Sequence, residues 1–269
     1  MIIWTVLIVA AYLLGSVPVS YLAARSRGID LRQHGTGQVG GGNLWRTTSR
    51  RLGLLAGIFD FLKGMAMIAV AWSQGLDVAQ QLAVGLAVIV GHNWPVFLRF
   101  HGGRGIATTL GILIIIPLLN REMSPWVSAS AVVIFLAGVA IMRRTPVPVL
   151  ASLVAPPIAS AALQEPLPTT LGFLALLLVI VIKRLTAQPL GKAITISRGQ
   201  LILNRLLFDR DIRDRKIWVS RKPLRHQEPE ENWVEDIILE PKQEDANEES
   251  SRGRRGRDAI QRPPGQDGH

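Results

Sequence analysis

The sequence predicts an all-α integral membrane protein of about seven transmembrane helices, followed by a mostly disordered cytoplasmic C-terminal tail. Three observations predict it. Apolar residues gather in seven runs and are not spread evenly over the 269 residues. Charges between the runs are mostly basic and fall on one alternating set of loops. Beyond residue 208 the chain becomes polar and charge-mixed. The overall hydrophobic share of 48% decides little, because a soluble domain can reach it.

The runs cover about residues 2–24, 53–73, 81–98, 106–119, 126–142, 146–163 and 169–182. A span needs roughly 20 apolar residues, and fewer where the bilayer or the helix ends adapt. The first run lacks the basic start and small-residue cleavage site of a signal peptide, so it reads as a retained helix. The fourth run is short. The sixth carries Pro146, Pro148, Pro156 and Pro157, which a span tolerates where neighbouring helices satisfy the freed carbonyls. Five spans result if 126–163 folds as a single hairpin with weak ends.

Basic residues test the count. Arg25, Arg27, Arg32, Arg46, Arg50, Arg51, Arg99, Arg104, Arg143 and Arg144 fall in one set of loops, and Arg121 alone in the other. That asymmetry places the N-terminus outside and the basic loops and C-terminus in the cytoplasm. Residues 1–208 hold 17 Lys/Arg against 5 Asp/Glu, whereas 209–269 hold 13 against 15. The expected organisation is a membrane domain over 1–190, a basic juxtamembrane segment over 191–227 and a charged, disordered tail over 228–269. Arg252 to Arg257 could meet anionic lipid headgroups. No nucleic acid is expected as a partner, and the sequence does not identify a protein partner for the tail.

Two glycine-rich basic loops lie in the cytoplasmic set. The second runs from Gly91 to Thr109 and contains Gly102-Gly103-Arg104-Gly105. Glycine lets the backbone approach an anion, and bare N–H groups can donate to phosphate oxygens. Arg104 adds a planar fork matched to phosphate. A helix starting at Ile106 would aim its positive end at the same place. The first loop, Gly35 to Arg46, sets Thr36, Gln38, Asn43 and Arg46 among five glycines. Asp60 and Lys63 share a face of the second run. Intramembrane charges are costly unless paired or hydrated, so Lys63 is expected to face a polar cavity beneath the loops. Without cysteine there is no thiolate nucleophile and no Cys-based metal site. No metal or other cofactor is expected.

These residues resemble the motifs of the bacterial acyl-phosphate:glycerol-3-phosphate acyltransferases, integral membrane enzymes of phospholipid synthesis. The family's G-S-x-P is matched by Gly15-Ser16-Val17-Pro18. Its loop R-x-H-G-S-G-N-x-G-A-T-N-x-x-R is similar to Arg32 through Arg46, with Thr36 for serine, Gln38 for asparagine and Gly41-Gly42 for alanine-threonine. D-x-x-K-G is matched by Asp60 to Gly64. G-H-x-x-P-x-F-x-x-F-x-G-G-K-G-x-A-T is matched almost throughout from Gly91, with Arg104 for the usual lysine. Of the family's S-x-A-S, Val149 to Ser152 keeps the second hydroxyl. The third motif, H-R-x-N-I-x-R-L-x-x-G-x-E, has two placements, at Ile182-Lys183-Arg184-Leu185 or at Leu203 to Leu207 followed by Asp211. Neither restores its full donor set. The resemblance covers about residues 10–190, and the extension is expected to be unlike the family and dispensable.

The resemblance implies transfer of an acyl chain from acyl phosphate to the 1-hydroxyl of glycerol 3-phosphate, giving lysophosphatidic acid and phosphate without a covalent enzyme intermediate. It implies a bacterial inner-membrane enzyme working without metal or coenzyme A. Together with the loop chemistry it nominates Thr36, Arg46, Lys63 and Arg104 as catalytic. Substrate contacts are expected from Gly37, Gln38, Gly40, Asn43, Asp60, His92, Gly102, Gly103, Gly105, Thr108 and Ser152. His34, His92 and the donor's own phosphate are the candidate proton acceptors. Trp94 is expected to anchor the membrane interface. The alternative reading is a non-catalytic or altered-substrate membrane relative that binds phosphorylated lipids and recruits partners through its tail.

Overall fold

The computed structural model describes residues 2–143, 145–186, 196–214 and 217–218. Every regular element among them is helical: α1 Ile2–Ser16, α2 Val19–Arg25, α3 Gly41–Thr47, α4 Arg50–Ser73, α5 Val78–Asn93, α6 Ile106–Leu119, α7 Pro125–Met142, α8 Pro146–Ala162, α9 Leu167–Leu185 and α10 Arg198–Phe208, with a 3-10 turn at Val96–Leu98. Five apolar stretches are long enough to cross a membrane: Ile2–Arg25, Arg50–Ser73, Val78–Leu98, Pro125–Met142 and Leu167–Leu185. The expected fourth and sixth spans are the shorter apolar helices α6 and α8. The tail expected over 228–269 lies outside the described residues.

Local chemistry explains the boundaries. The first span is two helices, because Pro18 has no N–H to continue the ladder. Ser49 caps α4 by accepting from Leu52 N–H, and Asp77 with Gln80 forms a capping box on α5. Proline opens α7 and α8 at their first positions. The third span ends at Leu98 as expected, but its last residues form a 3-10 turn after Trp94-Pro95 stops α5, and Arg99 and Phe100 then take positive φ of 50° and 65°.

Small residues set the closest helix contacts. Gly15 and Gly91 bring α1 against α5, and Gly64 and Gly111 bring α4 against α6; a methyl group at any of the four would strike facing backbone. Ile68, Leu82, Ile89, Ile112, Ile116 and Phe173 form the buried centre. Leu54, Leu55, Ile58, Leu62 and Val133 remain outward-facing, as expected where lipid is the solvent. The loops at 26–49 and 94–105 lie at one end of the bundle with Thr186 and Trp218. Those at 74–77, 120–124 and 163–166 lie at the other.

Candidate active site

The first glycine loop is wound around one side chain. Asn43, buried at the start of α3, donates its amide to the carbonyls of Leu31, His34 and Gln38 at 3.2, 2.9 and 3.0 Å, and its oxygen accepts from Thr36 N–H at 3.0 Å. Asn43 is expected to bind substrate; here its side chain holds the loop together, and the residue also borders the groove between α4 and α6. Thr36 Oγ1 is buried without a partner beside a cavity. Arg32 reaches back to Asp30 at 2.7 Å, and this guanidinium holds the Asp30 carboxyl below its ordinary value of 3.8. His34 Nδ1 meets the Asp30 carbonyl at 2.8 Å.

The second loop folds under the end of α5. Gly103 N–H donates to the His92 carbonyl at 3.0 Å, and its α-carbon lies so close to the His92 ring that a side chain there would overlap it. Gly105 caps α6 with φ of 70°, a conformation natural to glycine. The first α6 residues offer N–H groups with no intrahelical partner, and Gly105, Ile106 and Ala107 border a groove. Arg104 Nη1 donates to the Lys183 carbonyl at 2.8 Å. In the amide orientation that satisfies both residues, Gln38 Oε1 accepts from Arg104 Nη2 at 2.8 Å and from Nε at 3.2 Å.

Beneath the loops, Lys63 does not face a cavity. Its side chain is 1% exposed and its ammonium meets Asp60 Oδ1 at 2.8 Å, the Gly15 carbonyl at 3.0 Å and His92 Nδ1 at 2.9 Å. Three protons meet three acceptors. Lys63 therefore ties α1, α4 and α5 together, where a polar cavity beneath the loops was expected. Thr108, also expected to contact substrate, packs against Gly64 at the α4–α6 contact and borders neither of the two cavities at the loops. Ser152, also expected at the site, bonds its own helix at the Val149 carbonyl and lies away from both loops' cavities.

The two placements of the third motif are not alternatives in space. Arg184, in the last turn of α9, donates to the Leu206 carbonyl at 2.8 Å, while Arg205 of α10 donates to the Leu185 carbonyl at 2.7 Å. Arg205 also pairs with Asp211 at 2.6 Å. Asp209, at the place of the motif's glycine, takes φ of 56° and sets its carboxylate 3.2 Å from Arg104 Nε. Burial pushes that carboxyl up, against the pull of Arg104, Arg184 and Arg210. Lys183 Nζ donates to the Asn93 carbonyl and stands 4.9 Å over the Trp94 ring.

Two cavities meet at Gln38 and Arg104. One, of about 320 Å³, has a mixed lining that brings together the polar and charged groups of Arg32, Thr36, Gln38, Arg104 and Lys183, with Gly37, Gly102 and Trp218 on its rim. Trp94 and Phe100 supply its aromatic wall. The other, of about 660 Å³, is an apolar groove between α4 and α6, bordered by Gly40, Arg46, Asp60, Phe61, His92, Gly103, Gly105 and Leu110, with Asp209 at its head. Most of the expected loop residues are thus gathered at the site. Sequence reasoning missed Lys183, Asp209 and Trp218 as site residues. A basic pair at the end of the last apolar run was the available signal for Lys183, whereas Asp209 and Trp218 lie in a segment whose pattern suggested no site.

The family described as glycerol-3-phosphate acyltransferase matches residues 5–189. The chain belongs to that family. It is similar to glycerol-3-phosphate acyltransferase 4 of Dehalococcoides mccartyi strain CBDB1, at 39% identity over 233 residues, covering 84% of this chain and 97% of the relative. It is 46% identical over 109 residues to the glycerol-3-phosphate acyltransferase of Geotalea daltonii, covering 40% of this chain and 56% of that one. Among solved structures it resembles the integral membrane acyltransferase PlsY in its glycerol 3-phosphate form, with a TM-score of 0.60, 28% identity and coverage of 67% of this chain and 88% of that one. The lysophosphatidic acid form gives a TM-score of 0.60 at 26% identity, over 78% and 94% of the two chains.

As a member of the acyltransferase family, the chain carries glycerol-3-phosphate acyltransferase activity in an integral membrane fold. The family model ends at residue 189, close to the expected limit of the resemblance, whereas the match to the Dehalococcoides relative covers 84% of the chain. That match carries the likeness to the Dehalococcoides acyltransferase through α10 and its Asp209 cap.

Proposed function

We propose that this acyltransferase uses acyl phosphate as its donor and works at the cytoplasmic face of a bacterial inner membrane. The observation that carries the reading is the shared wall between the two cavities. Arg104 and Gln38 border both the smaller cavity and the apolar groove, so a phosphate at Arg104 would join a soluble acceptor to a lipid donor. The acyl chain lies in the α4–α6 groove, with its phosphate at Arg104 and the free N–H groups that open α6. Glycerol 3-phosphate enters the smaller cavity, where Arg32 and Lys183 meet its phosphate and Thr36 meets a hydroxyl.

The acceptor's 1-hydroxyl oxygen bonds to the acyl carbon, and the acyl–phosphate C–O bond breaks. The hydroxyl proton leaves with the departing phosphate, so no protein nucleophile is needed. His92 accepts from Lys63 at Nδ1, which leaves its Nε2 protonated and favours the phosphate over His92 as proton acceptor; His34 donates Nδ1–H to the Asp30 carbonyl and keeps Nε2 as an acceptor. Catalysis then rests on placement, which can supply roughly 7–11 kcal/mol, and on charge stabilisation at Arg104 and Arg46. The basic loops 26–49 and 93–105 argue for a cytoplasmic site by the charge rule.

The test uses purified protein in lipid nanodiscs with glycerol 3-phosphate and either palmitoyl phosphate or palmitoyl-coenzyme A. Lysophosphatidic acid and phosphate should form in equal amounts with the acyl phosphate, and fall to background in Arg104→Ala. Turnover with the coenzyme A thioester alone would sink the donor assignment. Saturable lipid binding without turnover would favour a non-catalytic relative.

A further inference from the structure

Asp209 and Asp211 follow α10, and they are held differently. Asp211 is fully buried and hydrogen-bonded to Arg205 at 2.6 Å, while the Arg205 fork continues to the Leu185 carbonyl. That pair fastens α10 to α9, although the second carboxylate oxygen of Asp211, Oδ2, is buried without a hydrogen-bond partner. Asp209 stands 3.2 Å from Arg104 Nε, and its side chain keeps 20% exposure. The same oxygen, Oδ1, has no hydrogen-bond partner, so the contact is one of charge without bond geometry. It also borders the head of the apolar groove.

Around this point the site gathers Arg104, Lys183, Arg184 and Arg210. Such a cluster repels itself when no anion is bound, and a nearby carboxylate relieves the repulsion. Arg104 is already fixed by the Lys183 carbonyl and by Gln38. Asp209 is therefore not required to orient the fork. What it contributes is negative charge on the edge of Arg104 that faces the groove.

We propose that Asp209 is the resident counter-ion of Arg104, exchanged for the phosphate group of the ligand and returned as phosphate leaves. It acts through Arg104, setting how tightly the site holds phosphate. The inference rests on the reading of Arg104 as the phosphate-binding group. Position 209 suits the test, because its φ of 56° is easily adopted by glycine. Asp209→Gly removes the charge without backbone strain, and Asp209→Asn removes it while keeping the side-chain shape.

The experiment is calorimetric titration of inorganic phosphate into the full-length protein in nanodiscs, with melting temperature and phosphate inhibition of turnover measured alongside. Both variants should bind phosphate about two- to fivefold more tightly, the range of a partly exposed charge pair. Phosphate inhibition should strengthen by the same factor, and the KM for palmitoyl phosphate should fall more than kcat changes. A merely structural Asp209 would lower the melting temperature without tightening phosphate. Unchanged or weaker phosphate affinity in both variants overturns the proposal, as does the absence of measurable binding in every protein. A wild type that binds phosphate, with tighter variants but no acyl transfer, supports the exchange and defeats only the catalytic reading.

Discussion

Lys63 Nζ lies 2.9 Å from His92 Nδ1, and both converge on the Asp60 Oδ1 oxygen. Since Lys63 also donates to the Gly15 carbonyl, one ammonium joins three helices below the loops. Lys63→Met would strand the Asp60 carboxylate inside the bundle. Breaking a buried pair in this way costs about 3–5 kcal/mol, so the variant should show a lowered melting temperature in detergent. Activity should fall in proportion to folded protein. A variant that melts like wild type yet lacks turnover would show that Lys63 reaches the substrate after all.

Asn43 should act on acceptor binding without touching the acceptor. Its amide joins Leu31, His34, Thr36 and Gln38, and the last two of these residues border the smaller cavity. Asn43→Ala leaves buried backbone groups unmet, at about 1–3 kcal/mol for each group. The KM for glycerol 3-phosphate should rise on the order of tenfold or more. Limited proteolysis should cut the variant faster between residues 30 and 42. Normal acceptor KM together with wild-type cleavage would remove this role.

These two residues show where sequence reasoning reached and where it stopped. Among the described residues, apolar runs located the five helices long enough to cross a membrane and the two shorter apolar helices, because burial in lipid demands length and composition that can be read directly. Spacing correctly put Asp60 and Lys63 on one face. It could not say that the face meets Gly15 and His92, since those partners come from α1 and α5. Asn43 read as a donor free for substrate because a loop's internal hydrogen bonds leave no periodic trace. Asp209 was invisible for a related reason: its partner, Arg104, lies far back in the chain and is reached only after α9 and α10 pack.

Acid should loosen the first loop. The Arg32 hydrogen bond lowers the Asp30 carboxyl from 3.8, so the folded value lies below the unfolded one. Folding then releases protons, and the pair's stabilisation is complete above the unfolded value. It is lost as pH falls through the folded value. Because the Arg32 side chain is 38% exposed, solvent screening keeps the effect small. Melting curves of wild type and Asp30→Asn should differ by a constant amount near neutrality and converge in acid. A gap that stays constant throughout the acid range would show that the ion pair is not its source.

Truncation tests whether the extension belongs to the enzyme. Ending the chain after Arg198 would remove nearly all of α10. Arg184 would lose the Leu206 carbonyl, the Leu185 carbonyl would lose Arg205, and Arg104 would lose Asp209. Arg184 is large and buried among the helices, and an unmet buried charge is among the costlier defects a fold can carry. Turnover should fall at least about a hundredfold, equivalent to roughly 2.7 kcal/mol of barrier, and the melting temperature should drop. Ending the chain after Leu224, where the first compact unit closes, should keep turnover within about twofold of wild type, well under 1 kcal/mol. Full activity in the shorter form would show that α10 is dispensable, as its sequence pattern suggested. Loss in the longer form would extend the catalytic unit beyond residue 224.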